Sequence, residues 1–261
     1  MRQIFFAIVI LLAVSACGNG QAKKAEKSET PKETVDIENT LPTEMASPDT
    51  INNKVTGLQS SKEETEEDKE RKLNIKRART AFKNGVEYSK RGETEKAKGA
   101  FKTVLEYDPE NDMACANLGN IFYGMGQKDI ALSYYEDAVR FNPEDSASMV
   151  GAGLILFEKK DYNGALEYYN MAIKMAPRYA LAFYNRGTLL GFQNNYGGAV
   201  IDMNRAIDID PNNSKYYMNR GLANHYLKRH QQACDDWEKA AEMGNAEAQK
   251  ALKLYCKKIE K

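Results

Sequence analysis

The segment Phe183-Tyr184-Asn185-Arg186-Gly187-Thr188-Leu189-Leu190 returns thirty-four residues later as Tyr217-Met218-Asn219-Arg220-Gly221-Leu222-Ala223-Asn224. The shared Asn-Arg-Gly triplet is part of a longer register. Gly85, Gly119, Gly153, Gly187 and Gly221 keep the same step, as do Ala97, Ala131, Ala165, Ala199 and Ala233. Pro109, Pro143, Pro177 and Pro211 keep it too. Three registers that agree over four or five copies define an internal repeat, and a period of this length points to stacked supersecondary units.

Within a copy the apolar residues follow helical spacing. Cys115, Leu118 and Phe122 share one face, and Ile130, Tyr134, Tyr135 and Ala138 share another, with Gly124-Met125-Gly126 breaking the chain between them. Each copy is therefore two short helices and two turns. A side chain at the repeated glycine would hold the two helices apart, and the repeated alanine eases the same contact from the second helix. The proline, preceded by Asp, Asn or Ala, marks where one helix ends before the next begins.

Counted from Ala78, Asp112, Ser146, Ala180 and Ser214, this pattern resembles the tetratricopeptide repeat. In the second copy the matching positions are Cys115, Leu118-Gly119, Phe122, Ala131, Tyr135, Ala138 and Pro143. The resemblance implies an all-α fold: a right-handed superhelical solenoid of five helix pairs, with repeats at 78–111, 112–145, 146–179, 180–213 and 214–245 inside a domain spanning 71–245. In the last copy Gly244-Asn245 replaces the proline, and residues 246–261 read as a helix capping the final apolar face.

The N-terminal end is of another kind. One Arg, an apolar run from Ile4 to Val14 and small residues up to Cys17 describe a secretory signal over residues 1–16, too short to span a bilayer. Val14-Ser15-Ala16-Cys17 resembles the lipobox of bacterial lipoproteins, which implies that Cys17 is the mature first residue and carries the lipid, palmitate among its acyl groups. Each buried methylene adds about 0.8 kcal/mol of membrane affinity. From Cys17 to about residue 70 the chain is rich in Lys, Glu, Thr, Ser and Pro, and nearly free of aromatic residues. It cannot bury enough apolar surface to order itself and reads as a tether, with the first helix beginning near Glu66.

Several functions are disfavoured. Thirty-seven basic and thirty-seven acidic residues balance, unlike the basic excess of a nucleic-acid binder. Cys115, Cys234 and Cys256 lack Cys-x-x-Cys spacing, and His225 and His230 are the two histidines, so neither a metal nor another cofactor is expected. Cys234 and Cys256 read as helix-packing residues; in an oxidising compartment a disulfide between them is the alternative. No nucleophile, base and orienting group stand in a recognisable pattern, so the chain is expected not to be an enzyme.

The remaining place for chemistry is the groove that the resemblance implies along the first helices. Its candidates are Phe82, Lys83, Asn117, Asn120, Tyr123, Phe157, Tyr184, Asn185, Asn219, His225 and Tyr226. Asn117, Asn185 and Asn219 occupy one repeat position, where an amide suits the backbone of an extended peptide or is simply solvated. Arg186 and Arg220 stand at a normally apolar position, and only their two copies carry Asp202 and Asp236 opposite, which predicts structural ion pairs. The expected protein is a membrane-anchored scaffold or assembly factor of the bacterial cell envelope, binding a protein or peptide partner and no nucleic acid. Gly18 after the lipidated cysteine favours the outer membrane, facing the periplasm. A glycan- or peptidoglycan-associated protein and a homo-oligomeric structural element are the alternatives.

Overall fold

The computed structural model describes residues 65–256, and the expected signal peptide, Cys17 and all but the last residues of the tether lie outside the described residues. Among those described, eleven α-helices and no strand are found. They are α1 (Glu66–Lys90), α2 (Thr94–Tyr107), α3 (Asp112–Gly124), α4 (Lys128–Phe141), α5 (Ser146–Glu158), α6 (Tyr162–Met175), α7 (Ala180–Phe192), α8 (Tyr196–Ile209), α9 (Ser214–Tyr226), α10 (His230–Glu242) and α11 (Ala246–Ala251). The fold is a solenoid of five helix pairs with a short closing helix. Beyond α11 a π-helical turn runs from Leu252 to Cys256, so the described part of the expected cap is α-helical to Ala251 and π-helical after it, and residues 257–261 lie outside the described residues.

Local chemistry sets the boundaries. Thr65 and Asp68 form a capping box at the start of α1, and Glu66, Glu67 and Asp68 fill a first turn where negative charge is favoured. Side-chain oxygens of Asn111, Asp145, Asn213 and Asn245 accept backbone N–H groups at the starts of α3, α5, α9 and α11. Inside each pair the turn passes through one left-handed residue, in order Gly92, Gly126, Lys160, Asn194 and Lys228. Two of these copies thus hold a lysine where glycine is the easier residue.

The repeated glycine closes each pair. A Cβ built on Gly85, Gly119 or Gly153 would stand 2.8, 2.7 or 2.6 Å from the buried ring of Phe101, Tyr135 or Tyr169 on the second helix. At Gly221 it would lie 2.6 Å from Trp237 Nε1 and 3.1 Å from the Ala233 carbonyl oxygen. The Trp237 N–H donates to the Met218 carbonyl at 3.2 Å, so this ring cannot retreat freely. Contacts also decide the curvature. First helices of neighbouring copies touch one another (α3 with α5, α5 with α7, α7 with α9), and no second-helix pair is comparably close. The first helices therefore line the tighter, concave side.

Gly221→Ala is expected to lower stability by about 1–3 kcal/mol through overpacking. Gly99→Ala, in mid-helix with nothing within 4 Å of the added carbon, is expected to raise it by about 0.5–1 kcal/mol. Urea unfolding followed on Trp237, the single tryptophan, reads both signs.

Candidate functional site

Along the concave side the eleven predicted groove residues separate into two groups. Lys83 and Asn120 are exposed, and Phe82, Asn117, Tyr123, Asn185, His225 and Tyr226 are partly so. Phe157, Tyr184 and Asn219 are buried at 8, 4 and 2% exposure and cannot receive a partner directly. The cause is the tighter inner radius, which presses first helices of neighbouring copies together and buries positions that one helix alone would leave open.

What surrounds those positions is largely a neighbouring copy. Phe157 meets Tyr162 and Phe192 with ring centroids 5.7 Å away in each case. Tyr184 tilts against Tyr216 at 5.2 Å. Along one rim, residues thirty apart couple successive copies: Lys128 with Glu158 (3.1 Å), Tyr162 with Phe192 (5.2 Å) and Tyr196 with Tyr226 (4.7 Å, stacked). Glu158 also accepts a hydrogen bond from Tyr123 Oη at 2.9 Å, so the one groove carboxylate is already engaged. Its Lys128 contact is an ion pair whose geometry falls short of a hydrogen bond.

The asparagines behave unlike a uniform ladder. Asn117 Nδ2 donates to the Met113 carbonyl at 2.7 Å and Asn185 Nδ2 to the Leu181 carbonyl at 2.8 Å, each one turn back on its own helix. Each amide keeps its oxygen and its second N–H. Asn219 donates to Thr188 Oγ1 at 3.2 Å inside the α7–α9 contact, and Asn120 accepts from Tyr135 Oη at 2.8 Å.

The C-terminal end of the groove is narrowed. Cys234 and Cys256, read as packing residues, are joined in a disulfide across a separation of 22 residues. Closing a loop of that length contributes about 3 kcal/mol in the chain-entropy account. It holds the π-turn so that Tyr255 lies 4.5 Å from the His225 ring and 5.7 Å from Trp237. Burial, with His230 and Lys228 nearby, holds the His225 imidazole below its ordinary range. No group of three or more metal-ligating side chains exists among the described residues. Burial pushes the Cys115 thiol up to about 11, so it is not a reactive thiolate.

On the far side of the first helices, each predicted arginine meets its aspartate within one copy. Arg186 donates from two nitrogens to Asp202 at 2.8 and 2.7 Å, and Arg220 Nη2 to Asp236 at 2.6 Å. The remaining nitrogen of each reaches the preceding copy, where Asn170 and Asn204 accept at 2.8 Å. Those asparagines are functional parts of the joint that sequence reasoning missed. The signal was present: they sit one period apart, only in copies that precede an arginine copy, where the other copies hold Lys102, Glu136 and Glu238. Asn224 adds a further hydrogen bond to Asp236 at 3.1 Å.

Models for the tetratricopeptide repeat match residues 116–180 and 180–213. Residues 116–213 thus match the tetratricopeptide repeat. Comparison with curated proteins finds no match. Solved structures share the fold. MamA of Desulfovibrio magneticus is 21% identical, with a TM-score of 0.58 over 64% of this chain and 95% of that one. YrrB, described as a tetratricopeptide repeat protein with an unusual peptide-binding site, is 21% identical, with a TM-score of 0.58 over 71% and 97%. PilF of Pseudomonas aeruginosa is 21% identical, with a TM-score of 0.61 over 67% and 81%. Among the described residues no helix is long and apolar enough to cross a membrane.

The buried carboxylate of Asp236 is raised above its ordinary range by burial, against the lowering effects of Arg220 and Asn224. Asp236→Ala alone leaves Arg220 without its carboxylate and is expected to cost about 2–4 kcal/mol, discounted because the arginine is a quarter exposed. Adding Arg220→Met to it is expected to recover part of the loss, a positive coupling that a double-mutant cycle in urea reads directly.

Proposed function

We propose that this protein is a lipid-anchored tetratricopeptide scaffold of the bacterial cell envelope that holds an extended segment of a peptide or protein partner along α3, α5 and α7. The supporting observation is the orientation of the two open asparagines. With one N–H bonded to Met113 or Leu181, each of Asn117 and Asn185 keeps its amide oxygen and a second N–H, an acceptor and a donor that suit the backbone N–H and C=O groups of an extended chain. Met113, 54% exposed, supplies an adaptable apolar contact beside them. YrrB, alike in fold, is described as binding a peptide, which agrees with this use of the concave side.

Anchoring is proposed through Cys17, with the tether carrying the domain away from an outer-membrane surface facing the periplasm. The Cys234–Cys256 disulfide is in keeping with an oxidising compartment. The scaffold acts by binding rather than by catalysis.

The test compares partner recovery from detergent-solubilised envelope by the wild type, the double variant Asn117→Leu/Asn185→Leu, and Asn204→Ala on the opposite side. Loss of two hydrogen-bond acceptors is expected to lower recovery by about tenfold or more, at roughly 1 kcal/mol each. Asn204→Ala is expected to retain the partner. Equal recovery by all three would contradict the proposed site.

A further inference from the structure

The first helix is far longer than its partner. α1 has 25 residues and α2 has 14. Tyr107, the last residue of α2, already lies under Arg77, whose guanidinium carbon is 5.4 Å from the ring centroid. Among the described residues, no other helix lies beside the turns from Glu66 to Lys76. They border a cleft of about 850 Å³ whose other wall includes Tyr107 and Met113.

The face of α1 that lines this cleft has an ordered charge pattern. Glu67 and Glu70 come first, with Arg71 beside them as the exception, Asn74, Ile75 and Ala78 lie in the middle, and Arg79 and Lys83 follow. Ile75 is 45% exposed, an apolar residue without cover. Glu67, Glu70, Arg79 and Lys83 are absent from every ion pair formed among the described residues. A helix face with acid at one end and base at the other is complementary to itself when reversed. With a two-fold axis between Asn74 and Ile75, Glu70 of one copy is level with Arg79 of the other, and Glu67 comes within a residue of Lys83. The two Ile75 side chains meet near the axis. A parallel arrangement would set like charges together.

We propose that the α1 overhang is a self-association surface, on which a second copy of this chain binds antiparallel, each overhang seated in the other's cleft. This is an isologous contact, in which the same patch serves both copies. It lies beside the α3–α7 groove and leaves Asn117 and Asn185 untouched, so it stands or falls apart from the partner reading. The apolar seam is narrow, and the charges set the register and direction of pairing more than its strength.

Sedimentation velocity on the full chain in mild detergent, over a concentration series, tests the proposal. The wild type is expected to pass from monomer to dimer. Glu70→Arg and Arg79→Glu, each turning two attractions into two repulsions, are expected to weaken self-association about tenfold. Both residues are exposed, so melting curves and circular dichroism should match the wild type. An equimolar mixture of the two variants is expected to regain wild-type pairing, because both contacts in the mixed dimer are again opposite in sign. A wild type that stays monomeric throughout, which is the outcome if another segment or partner fills the cleft, would overturn the proposal. So would variants that associate like the wild type, or a mixture that is no stronger than its parts.

Discussion

The solenoid depends on one close approach, repeated in every copy: a glycine on the first helix against a large buried side chain on the second. The distances at Gly85, Gly119, Gly153 and Gly221 leave no room for even a methyl group. Gly187 meets Met203 and Asp202 in place of a ring. Because each pair is pressed together in this way, the pairs behave as flat units that stack. The first helices then meet on the inner side of the stack. Everything said of the groove follows from that meeting, since the inner positions of one copy are the outer wall of its neighbour.

Two kinds of joint lock the stack, and they lie on different sides. On the inner rim, aromatic pairs and one ion pair link residues thirty apart, with Tyr162–Phe192 and Tyr196–Tyr226 as the strongest apolar links. On the other side, Asn170–Arg186–Asp202 and Asn204–Arg220–Asp236 tie a copy to itself and to its predecessor. Both kinds concentrate in copies three to five. The first two copies have neither arginine joint, and it is there that the α1 overhang, Met113 and the cleft beside them are found.

The repeat, its helix pairs and the role of the glycine were legible in the sequence, because a 34-residue period states itself in three independent registers. The arginine–aspartate pairs were legible for a similar reason, being present together or not at all. Groove exposure was not. Position along one helix tells which face a residue occupies, but Asn219 is buried by Thr188 of the neighbouring copy, and sequence spacing does not contain that distance. Tyr226 and His225 stay partly exposed, one stacked on Tyr196 and the other against Tyr255, contacts that spacing along one helix does not reveal either. The disulfide had no local signal, since Cys234 and Cys256 are brought together only by the turn that follows α11.

The solenoid narrows its own groove at the C-terminal end, where the disulfide holds Tyr255 against His225. Burial lowers the His225 affinity for protons, so the folded chain binds fewer protons than the unfolded chain just below the ordinary value of 6.5. Stability should accordingly fall as pH drops through 6.5 toward the depressed value, and level off below it. The most direct measurement is an NMR titration of the two histidines, assigned with a His230→Gln variant, before and after reduction of the disulfide. The account predicts that His225 titrates below 6.5 in the oxidised protein and moves upward on reduction. A His225 that titrates at the ordinary value in both states would contradict it.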